Sequence, residues 1–120
     1  MRIMLWEVYC GTDLAAAEVG YATGRCYTSM TGAFDPKYPS AGSVQLGVTG
    51  AFLAKHGFRV WDFGMQMDYK ENMGAVEIVR KDWINLIGEC AKSIPKIVCE
   101  GTRYNCKEYL TLTKTETEID

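Results

Sequence analysis

Residues 58–75 read FRVWDFGMQMDYKENMGA. The segment opens on a largely apolar run, as expected of a strand buried on both faces. That strand is predicted over 58–65 and carries Asp62 near its end. Gly64 follows, then a polar turn with Tyr69, Lys70 and Asn72, then Met73-Gly74-Ala75. Asp68 is expected to cap a short helix ending at Met73, and 75–79 to form another strand. Just upstream, Val44, Val48, Ala51, Phe52 and Lys55 recur at helical spacing, predicting a helix over 41–56 with Gly57 at its end. Ser40 or Ser43 would cap it. The switch from helical to strand period and back predicts an α+β domain.

Working outward, residues 3–10 alternate as a strand, and Gly11-Thr12-Asp13 makes a turn. Residues 15–23 read as a second strand, with Val19, Tyr21 and Thr23 on one face. After Gly24-Arg25, residues 26–31 read as a third, rich in β-favouring Tyr and Thr. The three form an antiparallel meander. Residues 32–40, GAFDPKYPS, read as a loop. On the C-terminal side, Trp83, Leu86, Ile87 and Cys90 mark an amphipathic helix over 81–92, stopped before Pro95. Closing strands are expected over 97–99 and 104–112. Five to seven strands are expected in total. One domain over 1–112 is predicted, with 113–120 as a charged, frayed tail.

The chain has 120 residues, 48% hydrophobic and 23% charged, which fits one globular domain. Thirteen basic residues are scattered among 15 acidic ones, for a net charge of −2. That balance argues against a broad grip on a phosphate backbone. No apolar run is long enough to span a membrane. The N-terminus lacks the pattern of a secretory signal, so a cytoplasmic location is expected. The five cysteines include no CxxC pair, and His56 is the only histidine. Free thiols are expected, and no metal site.

Candidate functional residues cluster around Asp62. An Asp between Trp61 and Phe63, at a strand end, suits acid–base work. It also suits a brace that hydrogen-bonds the following turn, a common use of Asp. Tyr27, Thr28, Ser29 and Thr31 place hydroxyls along the third strand, lining a cleft or serving as β-formers. Met30, Met65, Met67 and Met73 could fill a pocket or the core. Trp6, Trp61 and Trp83 read as core. The helix start after Pro39 could offer N–H groups to an anion, with Lys37 the nearest cation.

The order helix, Gly, strand, short helix, Gly, strand resembles the second half of an N-acetyltransferase-type (GNAT) fold. GYATGRCYTSMTGAF at 20–34, AKHGF at 54–58 and RVWDFGMQMDYKENMGAVEIVRKDWI at 59–84 resemble leucyl/phenylalanyl-tRNA–protein transferases. The likeness is closer to the short eukaryotic-type relatives and covers about residues 5–87. It implies a GNAT-like mixed, mainly antiparallel sheet with helices packed on it. It also implies transfer of Leu, Phe or Met from an aminoacyl-tRNA 3′ end to a protein or peptide N-terminal amine. No coenzyme A is used, so no cofactor is expected.

Asp62 matches the Asp of the bacterial Asp-Cys-Gln motif. The Gln position falls at Gly64, the bacterial histidine at Tyr69, and the acidic residue of Gly-Glu-Ser-Met-Phe is missing. The resemblance therefore implies Asp62, Thr31 and Tyr69 as catalytic. Tyr27, Ser29, Met30, Val48, Phe52, Trp61 and Gly64 would bind substrate. The bacterial N-terminal domain has no counterpart in these 120 residues. Recognition would then concentrate on the amino acid and the terminal adenosine, or an accessory chain, or a second copy joined through the first strand, would supply the missing grip on tRNA. Two alternatives stand beside this reading: a coenzyme A-dependent N-acetyltransferase, and a catalytically inactive peptide- or degron-binding module.

Overall fold

Four strands form one mixed sheet in the order β1-β2-β3-β4 in a computed structural model, which describes residues 1–64, 67–95 and 105–107. They are β1 (Arg2–Cys10), β2 (Asp13–Thr23), β3 (Cys26–Phe34) and β4 (Val60–Asp62). The first three are an antiparallel meander, as their alternation and turn residues require. β4 runs parallel to β3, so the chain crosses over between them, through helix α1 (Ala41–Lys55). Helices α2 (Asp68–Asn72) and α3 (Arg80–Cys90) follow. The α+β class and the GNAT-like arrangement hold, with four strands among the described residues.

Register decides which side chains meet α1. Trp6 pairs with Glu18, and Glu18 with Gly32; Gly20 pairs with Ser29, and Ala22 with Tyr27. Paired residues share a face. Met4 and Trp6 pack against Phe52 and Ala51 of α1, so this is the face under the helix. A second cluster joins Ala15, Ala16 and Ala41 with Val8 and Tyr38. Small residues on β2 let α1 lie close to the sheet.

The α1 stripe differs from the expected one. Ala41, Gln45, Thr49, Ala51, Phe52 and Leu53 are buried, whereas Val44 and Val48 are half-buried. Apolar spacing misses this because two inward residues are polar. They satisfy each other: Gln45 Nε2 donates to Thr49 Oγ1 at 2.8 Å, and Thr49 Oγ1 to the Gln45 carbonyl at 2.7 Å. Ser40 precedes α1 without a side-chain capping bond. The helix ends in a Schellman motif. Phe58 N–H bonds the Leu53 carbonyl at 3.0 Å, Gly57 N–H reaches the Ala54 carbonyl, and Gly57 has φ 79°.

Four expectations need correction. β3 extends to Phe34, because Gly32–Phe34 pair with Ala16–Glu18 where a loop was expected. The 58–65 strand shrinks to Val60–Asp62, half-buried throughout. Its start is taken by the α1 cap and its end by a turn at Gly64. Residues 75–79 form no strand; Val76, Ile78 and Val79 are exposed. Met67, not Asp68, sits at the N-cap of α2, and it makes no side-chain cap bond.

The expected 97–99 strand lies outside the described residues. So does most of 104–112, in which Cys106 and Lys107 are helical. The α3 face does hold: Trp83, Leu86 and Ile87 are half-buried and Cys90 is fully buried. Arg25 ties these parts together. Its N–H bonds the Cys90 carbonyl, its carbonyl accepts from Arg59 N–H, and its side chain donates to Ser93 and to the Gly57 carbonyl. Cys26 and Cys90 are buried free thiols, and burial pushes the Cys26 thiol up to about 11. Cys10, by contrast, is exposed.

Candidate functional site

β3 and β4 stay paired for three positions only: Cys26 with Val60, Tyr27 with Trp61 and Thr28 with Asp62. Beyond Asp62 the fourth strand ends while β3 continues to Phe34. The outer edge of β3 from Ser29 onward therefore has no strand beside it among the described residues. Met30 adds to the parting: the β2–β3 register jumps from Val19–Thr31 to Gly20–Ser29 and leaves Met30 as an extra, bulged residue. It is 60% exposed, and Met67 and Met73 are exposed too, so these three are not core filler.

Asp62 stands at the vertex of the parting strands. Its Oδ1 accepts the Gly64 N–H at 2.8 Å and its Oδ2 the Thr28 hydroxyl at 3.3 Å. Gly64 has φ 78°, which favours glycine in this turn. Lys70 reaches back to donate to the Phe63 carbonyl at 2.7 Å, fixing α2 to the same corner. Asp62 thus has the geometry of a turn brace placed where the strands separate.

On the other face, under α1, lies a polar chain that crosses all four strands. Trp6 Nε1–H donates to the Tyr27 hydroxyl at 2.8 Å, and Tyr27 donates to Glu18 Oε2 at 2.6 Å. Ser29 donates to the same Glu18 oxygen at 3.0 Å, and Trp61 Nε1–H donates to Ser29 at 2.9 Å. Tyr27 has no exposed surface and Glu18 is 6% exposed. Burial, then the hydrogen bond and charge of Glu18, push the Tyr27 phenol far above its ordinary range, so it stays protonated and donates.

The expected site residues therefore separate into two sets. Asp62 and Thr31 share the face away from α1, with Thr28; Tyr27, Ser29 and Trp61 share the face under it. Tyr69 is exposed on α2. Phe52 is buried between Trp6 and His56, at ring-centroid distances of 5.1 Å and 4.1 Å. Trp61 lies instead over Gly50, towards the β4 side. Trp6 and Trp61 are half-buried hydrogen-bond donors rather than plain core.

Glu18 escaped the sequence reading. Its signal is parity: it shares the inward face of β2 with Ala16, Gly20 and Ala22, so a lone acid falls among small residues under a helix.

The family model for the acetyltransferase (GNAT) domain matches residues 1–71. The chain belongs to the GNAT acetyltransferase family. The match takes in β1 to β4 and reaches into α2, so the parting of β3 and β4 lies within the GNAT domain. Acyl transfer is the chemistry of such domains. No curated protein matches the chain. Among the described residues, no helix is long and apolar enough to cross a membrane, and no group of three or more His, Cys, Asp or Glu could hold a metal ion.

Proposed function

We propose that this GNAT domain is an aminoacyltransferase. It moves a Leu-, Phe- or Met-type aminoacyl group from the 3′ end of an aminoacyl-tRNA to the N-terminal amine of a protein or peptide. The observation that carries the reading is the open edge of β3 beside Asp62, set in the 20–84 sequence likeness to leucyl/phenylalanyl-tRNA–protein transferases. The ester carbonyl would lie in the gap between β3 and the end of β4. Asp62 would orient the incoming amine, and a hydroxyl of Thr31 or Tyr69 would meet the oxyanion, where one donor can contribute a few kcal/mol. Trp61 and Met30, with Val48 behind them, would flank the donor's side chain. Attack by the amine forms the C–N bond and breaks the ester C–O bond, and the amine's proton leaves with the ribose oxygen.

Transfer of labelled Leu, Phe or Met from charged tRNA to a peptide beginning with Arg or Lys tests this. Absence of transfer from all three donors would overturn it.

The coenzyme A-dependent reading draws on the start of α1. The Gly42 and Ser43 N–H groups lie in its first turn, where helices leave such donors unpaired. Against it, only Gly42 supplies a glycine there. Lys37, the nearest cation, lies 3.8 Å from Asp13 and over the Tyr38 ring. Micromolar binding of acetyl-CoA by titration calorimetry would favour this reading over the tRNA one. Weak binding of peptides with N-terminal Arg, without turnover, would favour a binding module.

A further inference from the structure

Glu18 is the one charged side chain among the buried described residues. Burying a carboxylate is costly unless its oxygens are matched. Here the matching is lopsided. Tyr27 and Ser29 both donate to Oε2, and Oε1 accepts no hydrogen bond among the described residues. Yet no fully buried side-chain oxygen or nitrogen among the described residues lacks a partner. Oε1 therefore borders open space.

Two strand neighbours flank Glu18 on its own face. On the β1 side Trp6 is paired with Glu18 and packs edge-on to Tyr27 and Phe52, closing the approach. On the β3 side the paired residue is Gly32, which is exposed and has no side chain. Beyond Gly32 lies the edge of β3 that β4 leaves uncovered. The route for a ligand would run over Gly32, from where the strands part. Trp61, through Ser29, and Trp6, through Tyr27, hold the two donors of Oε2 in place.

We propose that Glu18 Oε1 receives the ammonium group of a charged acyl donor, so that the domain accepts aminoacyl groups and discriminates against acetyl. The proposal rests on the aminoacyl-transfer reading and adds the device that recognises the donor. An acetyl group offers the carboxylate nothing. An α-ammonium offers donors and a compensating charge, and charge-assisted hydrogen bonds are the stronger kind. Asp62, on the opposite face, remains with the acceptor amine.

The probes are phenylalaninamide, which carries a free ammonium, and N-acetyl-phenylalaninamide, which does not. Binding is measured by NMR titration against wild type, Glu18→Gln and Gly32→Val. Glutamine keeps an oxygen for Tyr27 and Ser29 but places an amide where Oε1 stood. Valine at position 32 obstructs the approach without removing any Glu18 partner; its Cβ would lie 3.2 Å from the Ala17 carbonyl, where a small shift is needed, and 3.7 Å from the Glu18 Cβ, an ordinary contact.

Wild type is expected to prefer the free amine by roughly tenfold or more, and each variant to lose that preference while still folding. Equal binding of the two probes by wild type, no binding of either, or an unchanged preference in Glu18→Gln would each overturn the proposal. Transfer from charged tRNA is scored separately. Ammonium preference without transfer sinks the tRNA reading alone. Transfer with an unchanged preference in Glu18→Gln sinks only the Glu18 assignment.

Discussion

Gly20 makes room for the hydroxyl of Tyr27: a Cβ placed on Gly20 would lie 2.2 Å from that oxygen and 2.4 Å from the Thr28 carbonyl. The Tyr27 side chain thus lies against β2 and meets Glu18 two residues along. Gly20→Ala is expected to destabilise the domain by about 2–3 kcal/mol, since a buried ring and a backbone carbonyl must both shift. A lower urea midpoint with an unchanged slope would show it. A midpoint equal to wild type would mean that the ring has another place to go.

Tyr27→Phe removes one atom and disturbs two partners. The Trp6 indole N–H loses its acceptor and Glu18 loses one of its two donors. The expected loss is about 1–3 kcal/mol, the range for leaving buried polar groups unmatched. Trp6→Phe with Tyr27→Phe closes a double-mutant cycle. Coupling well above zero is expected, and strict additivity would show that the two residues act separately.

These residues mark where sequence reading succeeds and stops. Alternation and turn glycines made the meander legible, and helical spacing with Gly57 made α1 legible. The mixed character of the sheet followed from the family resemblance, but not which pair of strands runs parallel. What stayed hidden depends on pairing across strands. The jump at Met30 decides that Ser29 and Thr31 lie on opposite faces, and no local pattern signals it. The Gln45–Thr49 pair turns two polar residues into core, which hydrophobic spacing cannot register. Gly32 read as loop because its strand partner, Glu18, is 14 positions away. The 75–79 run has strand-forming residues but no strand beside it among the described residues, and tertiary context overrides propensity there.

His56 gives the domain a pH signature. Burial, then the Lys55 charge, hold its pKa below the ordinary 6.5, and its ring lies against Phe52. The folded state thus favours the neutral ring. Between the folded and unfolded values the unfolded chain binds more protons, so stability rises with pH in that window. The contribution is fully present above the unfolded value and is lost as pH falls through the folded one. Urea unfolding at about pH 7.5 and about pH 5.5 should show the loss. His56→Gln should show a smaller difference between the two pH values. An identical difference in both proteins would assign the dependence to other groups.

Asp62 has two separable tasks: bracing the Gly64 turn and, as proposed, orienting the acceptor amine. The variants divide them. Asp62→Ala removes the acceptors of the Gly64 N–H and of the Thr28 hydroxyl and should lower stability by about 1–2 kcal/mol. Asp62→Asn keeps a side-chain oxygen for the Gly64 N–H, so the turn and the melting temperature should hold, while the charge is gone. If the charge orients the amine, transfer from charged tRNA should fall at least roughly tenfold in both variants, the loss expected for a charge-assisted contact. The decisive case is the asparagine variant. Full stability with lost transfer places Asp62 in the chemistry. Full stability with wild-type transfer leaves it a brace, and the acceptor amine would then be oriented by other groups at the open edge of β3.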